Sequence, residues 1–518
     1  MKNSIRIAAV AALLLAGTSM AAAAPVAADP AVAAAAAATP DNALAGKRIL
    51  FVVGKTGPAD PNDDPVIKEY MEGKGAQVTL AAAGDPASAA QNADLVIISS
   101  TADARVLGNR YADAAIPVVT WNAYSFPLLN MTGSRLHQDF SVVREKPFHN
   151  ENHADYYAHA VSSTNPILAA AKLPAGMFAP LMFSAGVTDP AWGKASKGAD
   201  IAVIFGGDRD QAAVFSYERG AAMNDLHTAP ARRVGLFLGD NSFSILSDVH
   251  GPAAEDPKEF AWFGGRRLFD AALRYAASPP AALPARRSYE QQFAETAALA
   301  KGKTLAFVRR FDLPWPENER GDQEQIKFYE SLGFKVRQID HMDSEAAADG
   351  ADIIVISASC NKYKLGMKHL DAKVPVILLE AKAVDALNMV SRLRNTDYGV
   401  NDHKESLYPP ENYVNMMRPA HPISGGIPAG QFKLYTTPGV LAWSRPPAGA
   451  TIIASIPNQP DHATMFVYDK GAMMAYDKIA PARRALFPMD APRFPDLTPE
   501  GRQLYASVIK WALSQPGS

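Results

Sequence analysis

The chain has 518 residues, 48% of them hydrophobic and 20% charged, with 51 Lys and Arg against 53 Asp and Glu for a formal net charge of −2. That balance excludes a polyelectrolyte binder of nucleic acid and an acidic disordered tail, and the length suffices for two or three hydrophobic cores. The single cysteine, Cys360, excludes an intrachain disulfide, so stability must come from packing.

At the N-terminus Lys2 and Arg6 precede an apolar run over residues 7–16 and then Ser19-Met-Ala-Ala-Ala-Ala-Pro25. This is the pattern of a secretory signal peptide over residues 1–24, with an Ala-x-Ala cleavage site near Ala24. The run is too short to cross a bilayer, and no other segment approaches about twenty uninterrupted apolar residues. The expected location is therefore periplasmic or secreted, with no membrane span. Residues 25–45 are almost all Ala, Pro, Val and Asp and read as a flexible tether.

From there the chain says nearly the same thing twice. Lys47-Arg-Ile-Leu-Phe-Val-Val is answered by Lys303-Thr-Leu-Ala-Phe-Val-Arg, Ala93-Asp-Leu-Val-Ile-Ile-Ser-Ser by Ala351-Asp-Ile-Ile-Val-Ile-Ser-Ala, and Ala229-Pro-Ala-Arg-Arg233 returns unchanged from Ala480 to Arg484. Three matches in the same order at slowly drifting offsets predict a tandem duplication of one domain. The expected units are residues 46–278 and 302–518, separated by a linker and helix over 279–301.

Within each unit, apolar runs alternate with helical patterns. Strands are expected at 49–53, 77–81, 95–98 and from Pro117 onward, then at 201–205, 213–217 and 234–238. The second unit repeats them at 305–308, 335–339, 353–356, from Pro375, and at 452–456, 464–468 and 485–487. Amphipathic helices over 264–277 and 498–514 close the units. Continuous apolar strands between helices predict a parallel sheet buried on both faces, hence two tandem flavodoxin-like, doubly wound α/β domains. In such sheets ligands sit outside the carboxyl ends of the strands.

The opening strand, the Ala-Asp-apolar third strand, Pro375-Val-Ile-Leu-Leu-Glu380, His421-Pro-Ile-Ser-Gly-Gly-Ile-Pro and the terminal Lys510-Trp-Ala-Leu resemble the class I glutamine amidotransferase-like superfamily, and within it the ThuA-like (trehalose-utilisation) branch. The resemblance implies a carbohydrate-related role. It also implies a departure, because the superfamily's nucleophilic cysteine sits on the sharp turn after the fourth strand. Here that position is Asn122 in the first unit and Glu380 in the second. Neither supplies a thiolate, so glutamine amidotransfer is not expected from either unit.

The candidate site residues follow from this frame. Glu380 at the turn is placed to act as a general base or to bind a sugar hydroxyl, with His421 as its acid partner or as a metal ligand. The competing reading is that Glu380 caps a helix and His421 satisfies a loop carbonyl. Their counterparts, Asn122 and Asn165, are not ionisable, so the second unit is the one expected to retain chemistry. Cys360 follows the third strand and reads either as a thiol activated by Lys362 or as a small buried residue. Trp121, Trp192 and Trp315 suit stacking on sugar rings or core packing alike. Asp210 and Asp461 are counterparts, as are Arg232 with Arg483 and Arg233 with Arg484. Asp461 is counted with Asn122, Trp121 and Cys360 among the ligand-binding candidates, whereas turn arginines, solvated or ion-paired, are the expectation for the Arg pairs. His149, His153 and His159, with Glu151 and Asp155, have the composition of a metal site, although the spacing is not His-Glu-x-x-His and a solvated polar loop or helix is the favoured reading. No cofactor is expected. The function expected is binding or processing of a sugar-related small molecule, by acid/base hydrolysis or isomerisation if it turns over. The alternatives are a non-catalytic binding or assembly module and a metal-dependent hydrolase.

Overall fold

The computed structural model describes residues 44–54, 61–143, 157–162, 165–173, 175–176, 178–180, 189–206, 208, 210–224, 227–246, 264–280, 283–401 and 411–514. The leader, most of the tether, His149, Glu151, His153 and Asp155 lie outside them.

The first half builds one sheet from β1 (Arg48–Val53), β2 (Gln77–Ala82), β3 (Leu95–Ile98), β4 (Val118–Thr120), β5 (Phe140–Val142), β6 (Tyr157–Ala160), β7 (Phe178–Pro180), β8 (Ala191–Gly193), β9 (Asp200–Phe205), β10 (Ala212–Tyr217) and β11 (Arg233–Gly235). The order is β2-β1-β3-β4-β11-β10-β9-β6-β7, with β5 and β8 branching from β10. Side chains alternate between two cores. Ile49, Phe51, Leu95 and Ile97 face one, where helices α1 (Asp64–Gly73), α3 (Pro166–Ala171) and α4 (Gly265–Ala277) pack. Leu50, Val52, Val96 and Ile98 face the other, covered by α2 (Ala104–Leu107) and short turns carrying Phe126 and Leu129. A strand buried on both faces has no solvent side, which is why these runs read as continuously apolar.

The sheet is mixed rather than wholly parallel. The strands β2, β1, β3, β4 and β11 run parallel, whereas β10, β9, β6 and β7 pair antiparallel. The reason is loop length. Only residues 206–211 separate β9 from β10, too few for the helical crossover that parallel neighbours require.

The second half repeats the plan with β12 (Thr304–Arg309), β13 (Lys335–Asp340), β14 (Ile353–Ile356), β15 (Val376–Leu378), β16 (Tyr398–Val400), β17 (Tyr413–Met416), β18 (Gly430–Lys433), β19 (Ala442–Ser444), β20 (Thr451–Ile456), β21 (Gln459–Tyr468) and β22 (Arg484–Leu486). Its order, β13-β12-β14-β15-β22-β21-β20-β17-β18, is that of the first sheet position for position. The register agrees as well: Ile49 pairs with Leu95 as Leu305 pairs with Ile353, and Val118 with Arg233 as Val376 with Arg484. Helices α5 (Tyr289–Ala300), α6 (Pro316–Ser331), α7 (Lys362–Leu365) and α8 (Pro499–Leu513) complete it. The helix expected in the linker, α5, carries a Ser288/Gln291 capping box and joins this half, with Thr296 Oγ1 donating to Ala506 O at 3.1 Å and Glu295 pairing with Lys510.

The turn arginines are buried rather than solvated. Arg233 donates to the carbonyls of Ala112 and Ala114 at 2.9 and 2.7 Å, and Arg484 to those of Leu370 and Ala372 at 3.3 and 2.6 Å. Arg232 and Arg483 bind the last carbonyls of α4 and α8, through Tyr275 O and Trp511 O, and each is ion-paired, with Glu218 and Asp469 respectively. A guanidinium satisfies several carbonyl ends that a folded turn leaves orphaned. The halves meet through Arg418, paired with Asp200 and bonded to Ala199 O, through Ala222 N to Met417 O at 3.0 Å, and through Met473 N to Val161 O at 2.9 Å. Glycine is required there, since a Cβ on Gly449 would lie 2.1 Å from Met473 O. Among the described residues no helix is long and apolar enough to cross a membrane.

Candidate functional site

A cavity of about 570 Å³ opens at the carboxyl ends of β12, β14, β15 and β22. That is where a parallel array leaves a crevice, because each strand ends there and its loop turns aside. The volume suits a small ligand. Arg310 enters from β12, residues 358–362 follow β14, Leu379 and Glu380 follow β15, and residues 488–490 follow β22; Trp315, Arg394 and Tyr398 are among the other residues of the wall.

Glu380 heads a single 3-10 turn, with Oε1 accepting from Lys382 N at 2.8 Å. Its other oxygen has no hydrogen-bond partner among the described residues, and the residue lines the cavity. The residue is partly accessible there yet closely surrounded by protein. Desolvation pushes its carboxyl up to about 7, with Asp490 adding to the rise and Lys382 and Lys362 opposing it. Such a group exchanges a proton near neutral pH. At the equivalent place Asn122 caps in the same way, Oδ1 accepting from Tyr124 N at 3.1 Å, but its amide is spent on the carbonyls of Ser99, Ser100 and Ala102 at 3.2, 3.3 and 2.7 Å. Both residues cap; only Glu380 has an atom left for a ligand.

Beside it, Lys362 Nζ lies 3.1 Å from Asp385 Oδ2 and 3.0 Å from Tyr398 Oη, and Tyr398 donates to Asp385 Oδ2 at 2.8 Å. Burial lowers the ammonium pKa, but the bonds to Tyr398 and Asp385 outweigh it and hold the proton more tightly than usual. Cys360 lines the same wall, but its Sγ points to Val308 O at 3.4 Å and burial pushes the thiol well above its ordinary value. It is a packed residue, not a nucleophile. Behind the loop, Asp322 of α6 accepts from Ser357 and Ser359 at 2.5 and 2.7 Å and pairs with Arg309 at 3.3 Å. Asp64 of α1 does the same with Ser99 and Thr101 at 2.6 and 2.5 Å.

His421 is not brought to Glu380. It lines a separate cavity of about 160 Å³ with Asn165 and Arg418, caps a 3-10 turn through Nδ1 accepting from Ile423 N at 3.2 Å, and packs against Trp511. Burial, with Arg418 and Arg483 adding to it, holds the imidazole down at about 3, so it is neutral at physiological pH. Asn165 caps α3 at the matching place. Trp121 is 1% exposed and packs on Phe51 and Phe269, so it is core rather than ligand surface, and Trp192 is likewise buried. Trp315 alone of the three named tryptophans is exposed, at the cavity, with Arg310 over its ring at 5.9 Å. Asp461 lies away from this cavity and pairs with Lys197 of the first half at 3.7 Å. His159, in β6, is half-buried, and burial holds its imidazole below the ordinary value. Among the described residues no three His, Cys, Asp or Glu side chains are grouped to hold a metal.

No protein-family model matches the chain, and no curated protein matches it in sequence. Solved structures similar to parts of it include the following two. One is a putative GMP synthase component from Thermoplasma acidophilum, at 17% identity and a TM-score of 0.26, covering 40% of this chain and 94% of that one. The other is the mmIFT52 N-terminal domain, at 13% identity and a TM-score of 0.26, covering 45% of this chain and 98% of that one.

Sequence reasoning passed over Asp385 and Tyr398, because 23 and 36 residues separate them from Lys362 and neither belongs to a motif. It also missed Asp64 and Asp322. These did carry a signal: each lies at the same distance before its Ser-x-Ser or Ser-x-Thr, in both halves.

Proposed function

We propose that this is an exported protein of two tandem ThuA-like domains, of glutamine amidotransferase-like, flavodoxin-related architecture. The second domain binds or processes a carbohydrate or related small polar metabolite without cysteine-dependent amidotransfer. The identical strand order of the two sheets supports the duplication, and the basic-then-apolar start of the chain supports export. The observation that carries the functional reading is the uncommitted Glu380 oxygen at the carboxyl edge of the second sheet, against an Asn122 consumed by its own backbone. Any proton transfer here is the work of Glu380 without His421, since the two line different cavities.

The test is a thermal-shift screen of the mature chain and its Glu380→Gln variant against neutral sugars, keto-sugars and sugar acids. A ligand that binds the folded state raises the midpoint. A shift in the wild type that Glu380→Gln weakens is expected; no shift with any sugar at millimolar concentration overturns the reading.

A further inference from the structure

Comparing the two halves position by position separates the polar groups the fold needs from those only one half needs. Both halves keep the buried Asp64 or Asp322 hook, the Arg233 or Arg484 clamp, and a tyrosine donating to a loop carbonyl, Tyr217 to Met131 O and Tyr468 to Met389 O. The cavity groups behave differently. The short helix that begins with Lys362 begins with Ala104 in the first half. The strand that begins with Tyr398 begins with Phe140, and the bridge from Arg394 to Tyr398 corresponds to one from Leu136 to Phe140. Register places Gly54 opposite Arg310 and Pro127 opposite Asp385. The same fold thus closes with Ala, Phe, Leu, Gly and Pro where the second half has Lys, Tyr, Arg, Arg and Asp. Folding does not demand that polar cluster, so its explanation lies in what the cavity holds.

Geometry says what that is. Lys362 Nζ lies within reach of three acceptors, Asp385 Oδ1 and Oδ2 at 3.3 and 3.1 Å and Tyr398 Oη at 3.0 Å, and it lines the cavity with its side chain 21% exposed, so an anionic ligand meets it by sharing those N–H groups. Both partners are themselves buried, at 9% and 4% exposure, so the ammonium is fixed rather than swinging. Because its proton is held, Lys362 is a standing positive charge and not an amine nucleophile. The cavity wall also carries Glu380 and Asp490 beside Arg310, Lys382 and Arg394. A wall of both signs suits a ligand with a single negative charge and several hydroxyls better than a phosphate dianion. We infer that Lys362, positioned by Asp385 and Tyr398, anchors the carboxylate of a sugar acid or similar hydroxylated monocarboxylate, while Glu380 meets its hydroxyls. This inference rests on the cavity being the ligand site.

The experiment is calorimetric titration of the mature protein with D-glucuronate, D-gluconate, glucose and inorganic phosphate, for the wild type, Lys362→Met, the charge-balanced Lys362→Met/Asp385→Asn and Glu380→Gln. The double variant guards against misfolding from an unpaired Asp385, and circular dichroism checks every variant. At least one sugar acid is expected to bind ten-fold or more tighter than glucose, with affinity falling as salt rises, and both Lys362 variants are expected to lose that preference. Glucose binding as tightly as the acids, phosphate binding more tightly than either acid, or an unchanged acid preference in the folded double variant each overturns the carboxylate assignment; a loss on Glu380→Gln would then leave the cavity reading standing. If the folded wild type binds none of the four, both readings fall together.

Discussion

Replacing Glu380 by Gln keeps the length of the side chain and the acceptor for Lys382 N, but removes the titrating proton. The carboxyl is raised from its usual 4.5 to about 7 by desolvation first and Asp490 second, against Lys382 and Lys362. A raised acid keeps its proton in the native state after the unfolded chain has released it. The native state therefore binds more protons between about pH 4.5 and 7, and this group's contribution to stability falls as pH rises through that window. The full shift corresponds to about 3 kcal/mol, which is a ceiling. Water reaching the oxygen through the cavity brings the expected figure nearer to about 1.5 kcal/mol. Urea unfolding of both proteins at pH 5 and pH 8, followed by tryptophan fluorescence, measures it. Near pH 5 the protonated acid resembles the amide and the two should match closely. At pH 8 the variant should be the more stable. A difference of the same size at both pH values would mean that the carboxyl titrates normally, and the account of Glu380 as a proton-exchanging group would be lost.

Three further outcomes follow from particular contacts. Asp322→Ala leaves the Ser357 and Ser359 hydroxyls without their acceptor and takes one of two carboxylates from Arg309, which keeps Glu319 and Gln338, and should cost about 2 kcal/mol, read as a lower urea midpoint, with Asp322→Asn costing less; a loss under about 0.5 kcal/mol would show that the hook carries no load. Arg484→Met removes the donor shared by the carbonyls of Leu370, Ala372 and Val374 and should cost about 2–4 kcal/mol, with Arg233→Met matching it in the first half. His421→Asn, which installs the residue that caps the equivalent turn, should be nearly neutral, whereas His421→Ala should cost about 1 kcal/mol. Neither His421 variant should alter ligand binding at Glu380, and a ten-fold change in affinity would refute its separation from that site.

The sequence alone determined the features that depend on local, periodic physics. Apolar strands such as Leu95–Ile98 and Ile353–Ile356, the closing helices and the paired matches between halves were legible because burial on both faces leaves no polar position to interrupt a strand. A cap at Glu380 was visible as one of two readings, whereas the caps at Asn122, Asn165 and His421 emerged only from the structure. Tertiary structure decided everything that depends on where loops return. The antiparallel pairing of β9 with β10 and of β20 with β21 followed from short connections, not composition. Trp121 went to the core and Trp315 to the cavity, although each follows a strand or opens a helix in the sequence. Glu380 and His421 share a domain but line different cavities, because one ends a central strand and the other begins a turn against α8. Lys362, Asp385 and Tyr398 meet only when the loops after β14 and β15 fold over the same sheet edge. A contact across 23 or 36 residues leaves no periodic trace in the chain, and that is why the cluster with the most chemical content was the one the sequence could not announce.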